Sequence, residues 1–206
     1  MDLKKHRNQT VKYEPYLNRL AAIFRKMDEC YDETAGKYGF VCTGCEDSCC
    51  RTRFYHHTLI EYFYLKSGLE SLSSADQVMI HSMALDANSQ WKTQPAPGVM
   101  CPLNEAGRCR LYAHRPMICR LHGIPHELHH PQKSRYKGQG CHEFVIQCGG
   151  KSYISFDRTP LYQELADLEK SFRQETGLSV KMKMTIAEML TILQTSIICV
   201  FLMLLG

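Results

Sequence analysis

The sequence lacks the features that mark several common classes of protein. It has no internal repeat and no low-complexity tract. The N-terminal stretch MDLKKHRNQTVKYEPY is charged and polar and lacks the apolar segment of a secretory signal, so we expect a cytoplasmic protein. The longest uninterrupted apolar run, 197–205, has nine residues, whereas a helix that spans a bilayer needs about 20. We therefore expect the C-terminal helix to be buried in the core or against a protein partner, and favour this over a membrane tail.

Familiar catalytic arrangements are missing as well. We find no Ser-His-Asp pattern, no phosphate-binding loop and no paired acidic residues in a suitable context. HELHH (126–130) formally matches the H-E-x-x-H motif of zinc proteases, which needs both histidines on one unbroken helix. Pro125 and Pro131 flank this stretch, and a residue that precedes proline is disfavoured in the α-helical region. We interpret HELHH as an exposed polar loop, with a secondary divalent-metal site as the alternative.

Composition and charge fit a compact globular chain. Of the 206 residues, 44% are hydrophobic and 22% are charged, which is enough for one domain with helical extensions. The formal net charge of +4 counts every cysteine as a neutral thiol. A divalent ion held by four thiolates carries about −2, as does an oxidised four-iron cluster on four cysteines. Two such sites would neutralise the chain, so we expect no nucleic-acid partner.

Apolar periodicity predicts a mainly α-helical fold. Residues 13–36 have apolar side chains at steps of three and four, which is typical of an amphipathic helix. A second helix is predicted from Thr58 to Lys66, and N-cap residues at Ser73, Thr159 and Thr185 predict further helices from Ser73 and over 159–205, with a break at Gly177. EFVIQC (143–148) is the strand candidate. We thus expect a single domain over 1–206, with flanking helices at about 13–36 and 159–205. Its middle, about 40–150, would be irregular and cysteine-rich, with at most a short strand or hairpin.

Eleven cysteines are many for a chain of this length, and their spacing indicates metal binding. In a reducing compartment, clustered cysteines are more often metal ligands than disulfides. In CTGCEDSCC (42–50), Cys42 and Cys45 have two residues between them, a spacing at which two thiolates converge on one ion. Cys49 and Cys50 are adjacent, and neighbouring side chains of an extended loop point in opposite directions. We therefore expect them to reach two different metals or opposite corners of one cluster.

The second half of the chain supplies further thiols. CPLNEAGRCRLYAHRPMICRLHG (101–123) contains three cysteines, and GCHEFVIQCGG (140–150) contains two. Residues 99–150 lack a long apolar period, so this region needs cross-links to fold. The candidate metal ligands would suffice for two four-thiolate sites with one cysteine to spare. They are Cys42, Cys45, Cys49, Cys50, Cys101, Cys109, Cys119, Cys141 and Cys148.

Two of these stretches resemble the motifs of a known family. CTGCEDSCC followed by CPLNEAGRCRLYAHRPMICR is similar to the pattern CxxC…CC, then CPL…G-x-C-x-x-Y-x-x-RP-x-x-CR, of the YkgJ-like cysteine-cluster proteins, a zinc- or iron-chelating domain. The resemblance covers about residues 40–123, and TIAEML (185–190) is similar to the family's closing segment. Here three residues, 46–48, precede the Cys-Cys pair, where the family commonly has two. The resemblance implies a metal-binding domain and leaves zinc or iron open.

Two arginines of the matched motif, Arg115 and Arg120, are candidate cofactor-binding residues. Because tetrathiolate sites carry excess negative charge, guanidinium groups can donate hydrogen bonds to the sulfurs. Pro116 would fix the backbone that enters Cys119. Tyr112, from the same motif, is expected to be an aromatic residue of the core.

These residues together predict a metal- or electron-handling accessory protein. An iron–sulfur cluster is favoured over zinc because nine thiols with an adjacent pair suit a cluster, and Cys101-Pro102 resembles the Cys-Pro that closes some iron–sulfur motifs. Two alternatives stay open. One is an enzyme that uses the cluster with an open coordination position, for example in protein modification. The other is a structural zinc module that presents an interaction surface.

Overall fold

The computed structural model describes residues 3–43, 49–93, 98–130 and 132–193, and over these ranges the chain is mainly helical. The helices are α1 (Leu3–Tyr38), α2 (Leu59–Glu70), α3 (Ser74–Thr93), α4 (Met117–Leu121), α5 (His142–Cys148), α6 (Thr159–Thr176) and α7 (186–193). Strands β1 (Asn104–Glu105) and β2 (Arg108–Cys109) form one antiparallel hairpin, and β3 (His126–His130) and β4 (Lys133–Gly138) form another. The predicted mainly α fold with short hairpins is confirmed.

Helix α1 organises the framework. Leu20, Phe24 and Met27 recur on one face at steps of three and four and are almost fully buried, as expected for an amphipathic helix. This helix packs against α2, α4 and α6. The buried apolar side chains of all these elements belong to one continuous cluster. Helix α1 is longer than the predicted 13–36.

The predicted capping patterns are present at Ser73 and Thr185, whereas at α6 Arg158 takes the N-cap position predicted for Thr159. Ser73 Oγ accepts a hydrogen bond from the Asp76 N–H at 3.1 Å and donates one to its carboxylate at 2.7 Å. At the start of α7, the Thr185 N–H donates to the Glu188 carboxylate at 2.7 Å, and the Glu188 N–H donates to Thr185 Oγ1 at 3.2 Å. Gly177 ends α6 in the left-handed conformation, at φ 71°. Each of these contacts satisfies backbone groups that a helix end leaves without partners.

Two buried carboxylates hold helix N-termini from distant positions in the chain. Glu169 of α6 accepts hydrogen bonds from the N–H groups of Leu59 and Ile60, at 2.8 and 3.0 Å, where α2 begins. Glu61 of α2 accepts one from the N–H of Met117, at 2.7 Å, where α4 begins. The first N–H groups of a helix have no intrahelical acceptor, and a carboxylate there also faces the positive end of the helix dipole. Helix α4 is thereby tied through α2 to α6.

The predicted strand at 143–148 is wrong, because this segment lies in helix α5. The side chain of Cys141 caps the helix by accepting a hydrogen bond from the Phe144 N–H at 3.4 Å. Phe144 and Cys148, four residues apart, are buried, while Val145 and Ile146 between them are exposed. In a strand, Ile146 would share the buried face of Phe144 and Cys148, so its exposure fits a helix and does not fit the alternation of a strand.

The HELHH stretch forms strand β3 instead of the predicted polar loop. It pairs with β4, so that Glu127 lies opposite Lys137 and Leu128 opposite Tyr136. Glu127 is buried, and its carboxylate accepts hydrogen bonds from His129, Arg135, Tyr153 and Ser155. At about 3.3 Å per residue, the two outer histidines of a strand are roughly 13 Å apart. The helical geometry that a zinc-protease motif requires is therefore absent from this strand.

None of the helices within the described ranges is both long and apolar enough to cross a membrane. The apolar run 197–205, for which the sequence predicts burial in the core or in a partner, lies outside those ranges.

Candidate metal centre

Two neighbouring cavities are lined by cysteines from both sequence motifs. We call them the small chamber, of about 70 Å³, and the large chamber, of about 570 Å³. Four cysteines line both chambers, and we call them the shared thiols. They are Cys49, Cys50, Cys109 and Cys119. The small chamber adds Cys101, and the large chamber adds Cys42 and Cys141. The fold thus brings seven of the nine predicted ligands around two adjoining spaces.

Backbone contacts bring the two motifs together. The Cys101 N–H donates a hydrogen bond to the Cys50 carbonyl at 2.8 Å, which joins the second motif to the first. Cys109 lies on strand β2, and Cys119 lies on helix α4. Pro116 precedes that helix, and its carbonyl accepts from the Cys119 N–H at 3.0 Å. Pro116 therefore sets the backbone that enters Cys119, as the sequence predicts.

Cys141 reaches the large chamber because two glycines permit close backbone contact. Its N–H donates to the Gly123 carbonyl at 2.8 Å. Gly140 has φ +88°, and a Cβ atom there would lie only 2.7 Å from the same carbonyl oxygen. A larger residue at position 140 would have to push the two backbone segments apart. The glycines flanking this contact are thus needed to hold Cys141 at the chamber.

Three of the thiols accept hydrogen bonds from backbone N–H groups a short distance downstream. Cys101 Sγ accepts from the Leu103 N–H, and Cys109 Sγ accepts from the Leu111 N–H. Cys141 Sγ accepts from the Phe144 N–H. Hydrogen bonds donated to sulfur favour its ionised form, and they are a recognised outer-shell support of metal-bound thiolates. The local backbone is therefore arranged for ionised sulfur at these positions.

Burial acts in the opposite direction on the same thiols. It is the main cause that raises the pKa of Cys101 and Cys109, and it raises the pKa of Cys119 to about 12. Neighbouring thiols add to this effect because several negative charges in one space repel each other. The thiols alone are therefore protonated at neutral pH. A cation that balances their charge would allow them to ionise.

The adjacent pair Cys49 and Cys50 does not adopt the extended conformation assumed in the sequence analysis. Residues 49–51 form a turn, closed by a hydrogen bond from the Thr52 N–H to the Cys49 carbonyl at 3.3 Å. The two thiols are hydrogen bonded to each other, and this contact is the first cause of the raised pKa of Cys49. Because a turn does not separate neighbouring side chains as a strand does, both sulfurs face the chambers. Whether they bind different metal atoms stays a prediction.

The two motif arginines have different roles in the structure. The buried guanidinium of Arg120 binds the backbone carbonyls of Arg115, at 2.7 Å, and of Ala113, and it pairs with Asp28 of α1. It also lies over the Phe24 ring, 4.3 Å from the centroid. Every nitrogen of this guanidinium has an acceptor in the framework, so Arg120 clamps the Cys119 segment to α1. Arg120 therefore donates to backbone carbonyls and to Asp28, and the hydrogen bonds to sulfur that the sequence predicts for it are not among these contacts.

Arg115 is the motif arginine whose side chain lies at the thiols of both chambers, whereas Arg120 lines only the large chamber. The positive charge of Arg115 lowers the pKa of Cys109 and Cys119 against the stronger effect of burial. Its Nε donates to the Tyr112 carbonyl at 3.0 Å, and its guanidinium carbon lies 3.5 Å from the centroid of the Tyr112 ring. Tyr112 is 62% exposed, so its predicted place in the core is wrong. Instead, the ring holds Arg115 by stacking.

Two predicted ligands are not among the chamber cysteines. Cys148 is buried on α5, where its thiol donates to the Tyr38 carbonyl at 3.4 Å, and it lines neither chamber. Cys45 lies outside the described residues. Among the residues that are described, no three His, Cys, Asp or Glu side chains converge closely enough to hold a metal ion. The donors therefore surround shared spaces without forming a closed coordination shell.

Sequence reasoning missed a histidine in the wall of the small chamber. His56 is only 3% exposed, and its Nε2 has no hydrogen-bond partner within the described part of the chain. Burial lowers the pKa of His56 to about 4, so the ring is neutral at physiological pH. Its backbone pairs with Met184 just before α7, at 2.7 and 3.1 Å. The residue lies six positions after Cys50 in sequence, and no motif marks it.

Comparison of this chain with models of protein families, with curated proteins and with solved structures gave no significant match.

Proposed function

We propose that this chain is a metal-binding cysteine-cluster protein that carries an iron–sulfur cluster or zinc. The observation that carries the proposal is the assembly of seven cysteines, from sequence segments up to 99 residues apart (Cys42 to Cys141), around two adjoining chambers. An apolar core does not require thiols to gather in this way. The resemblance of the two motifs to the YkgJ-like family supports the same function.

The chemistry of the donor set fits a thiophilic metal. Cysteine sulfur is the preferred ligand of zinc and of iron–sulfur clusters. The backbone N–H groups at Cys101, Cys109 and Cys141 favour ionised sulfur, and Arg115 adds a positive charge beside the shared thiols. A bound metal would supply the positive charge that lets the buried thiols ionise. Because the donors do not yet converge, binding would draw the sulfurs together and link metal uptake to folding.

An iron–sulfur cluster is favoured over zinc because four thiols face both chambers and can serve a multinuclear centre. The role we propose is that of a cytoplasmic accessory protein that handles metal or electrons. The protein would bind metal ions, and it would recognise a protein partner through its apolar C-terminal segment. A nucleic-acid partner is not expected.

The decisive experiment is anaerobic purification followed by metal and sulfide analysis and an absorption spectrum. An iron–sulfur protein is expected to contain iron and acid-labile sulfide in similar amounts and to absorb broadly in the visible range, whereas a zinc protein is colourless. Purified protein that holds neither metal, and takes up neither on reconstitution, would contradict the proposal.

The large chamber favours a second candidate, an enzyme that uses the metal with an open coordination position. Its volume of about 570 Å³ falls within the range of about 300–1,000 Å³ that is common for small-molecule sites. His122, whose pKa burial lowers to about 4, lines this chamber beside the shared thiols. Ligand-induced changes in the visible spectrum of the loaded protein would favour this candidate over an accessory role.

Replacing Cys148 by alanine is expected to leave the metal content unchanged. Its thiol contacts the Tyr38 carbonyl and lines neither chamber, so the loss is one weak hydrogen bond and a small volume, about 1 kcal/mol. Metal content per chain and thermal melting of this variant test the expectation. A fall in bound metal would show that Cys148 is a ligand after all.

A further inference from the structure

The small chamber contains a polar group that the thiol cluster does not explain. His56 is buried at 3% exposure in a wall that also contains Cys49, Cys50 and Cys101. Burying a polar atom without a hydrogen-bond partner costs about 1–3 kcal/mol. His56 Nε2 bears this cost within the described chain, since no acceptor or donor there reaches it. A ligand in the chamber that binds this nitrogen would remove the cost.

The size of the chamber limits what this ligand can be. A cavity of about 70 Å³ is well below the range of about 300–1,000 Å³ that holds drug-sized molecules. The other walls combine apolar side chains such as Phe54 and Trp91 with the hydroxyl-bearing Thr52 and Thr185, so the limit on the ligand comes from the volume. A single metal ion fits the volume, and a neutral imidazole nitrogen is a common ligand of divalent metals.

We propose that His56 Nε2 is a metal ligand at the small-chamber end of the centre, together with Cys101 and shared thiols. This inference rests on the proposed function and deepens it. At the small-chamber end, the metal would be bound by thiolate sulfurs together with an imidazole nitrogen. The other end, in the large chamber, would then be served by Cys42, Cys141 and shared thiols. The ion that suits such a mixed set is a borderline divalent cation such as Zn²⁺, for which Co²⁺ is a spectroscopic substitute.

The position of His56 in the fold agrees with this role. Its backbone is fixed by two hydrogen bonds to Met184, so the imidazole is presented from a paired segment and not from a free loop. The neutral state of the ring leaves a lone pair on one nitrogen, as metal binding requires. By contrast, His126 has a pKa that burial likewise lowers to about 4, but it lines neither chamber. His126 is therefore a matched control for the loss of a histidine.

The test loads the full-length protein with Zn²⁺ and, separately, Co²⁺, and records X-ray absorption and visible spectra. We expect imidazole scattering in the zinc spectrum of the wild type and of His126→Ala, and its loss in His56→Ala. Loss of this ligand should weaken Co²⁺ binding by at least about tenfold. His56→Cys should keep the ion and replace one nitrogen by sulfur, with stronger sulfur-to-cobalt absorption. This second variant keeps the test valid if the alanine variant folds poorly.

Imidazole scattering that persists in His56→Ala, or an all-sulfur zinc site in the wild type, would overturn the assignment of His56. Either result would leave the proposed function standing, since sulfur coordination would still be seen. Wild-type protein that binds neither ion through sulfur would overturn the assignment of His56, and it would overturn the proposed function as well if iron and acid-labile sulfide are also absent.

Discussion

Replacing Cys119 by serine is expected to abolish stable metal binding and to lower the melting temperature by about 8–16 °C. Cys119 is a shared thiol on α4, so its loss affects both chambers. A metal present at about 1,000 times its Kd stabilises the folded state by about 4 kcal/mol. A chain of this size changes its Tm by about 2–4 °C per kcal/mol. Metal content per chain and thermal melting measure the two effects.

The control for this variant is wild-type protein stripped of metal by a chelator. If the loss of stability arises from the metal, the stripped wild type and the Cys119→Ser variant should melt within a few degrees of each other. Hydrogen exchange should show the largest loss of protection over residues 99–150, the region that the chamber cysteines cross-link. A stripped wild type that melts at the temperature of the loaded protein would contradict the expectation that metal supplies folding free energy.

Replacing Arg120 by methionine is expected to destabilise the protein by about 3–5 kcal/mol, with or without metal. The buried guanidinium binds two backbone carbonyls, and losing the donor to each costs about 1–3 kcal/mol, whereas Asp28 is 37% exposed and water can solvate it. At about 2–4 °C per kcal/mol, Tm should fall by about 6–20 °C. Melting of the stripped variant against the stripped wild type isolates this structural effect from metal binding.

The matched variant is Arg115→Met, in the same motif. Its ion pair with Asp28 is long, at 3.8 Å, and its other contacts are the exposed Tyr112 ring and one carbonyl. We expect the stripped variant to melt close to the stripped wild type. Because Arg115 faces the shared thiols, its loss should weaken metal binding about 10–100-fold. Equal loss of stability in both variants would contradict the different roles that their contacts indicate.

The helical framework could be predicted from sequence because its signals are local. The apolar steps of α1 and the capping boxes at Ser73 and Thr185 depend on residues three or four apart. For segment 143–148 the sequence predicts the wrong element, because a stretch of six residues is too short to distinguish the helical period of 3.6 from the strand period of 2. The deciding information was the capping contact at Cys141 and burial against Tyr38, more than 100 residues earlier in the chain.

The candidate site could be predicted only in part, for a related reason. Spacing identifies the cysteines as candidate metal donors, but it does not show which of them line the same cavity, so the sequence does not distinguish Cys148 from the chamber cysteines. For Arg120, the sequence shows that a positive charge lies close to cysteines in the chain. It does not show that the carbonyls of Ala113 and Arg115 accept its hydrogen bonds in the fold. His56 carries no motif, and it is revealed by its burial and by the absence of a partner for Nε2 among the residues that the structure describes.

The link from α6 through α2 to α4 sets the order in which the protein can mature during synthesis. Glu169 is translated about 120 residues after Cys49 and Cys50, and it is needed to fix the start of α2. At roughly 5–20 residues per second, the ribosome takes about 6–24 s to cover that distance. For this period the first thiols are present on a nascent chain that cannot yet hold α4 in place. They are therefore exposed to oxidation and to the wrong metal until the fold that gathers the other chamber cysteines around them is complete.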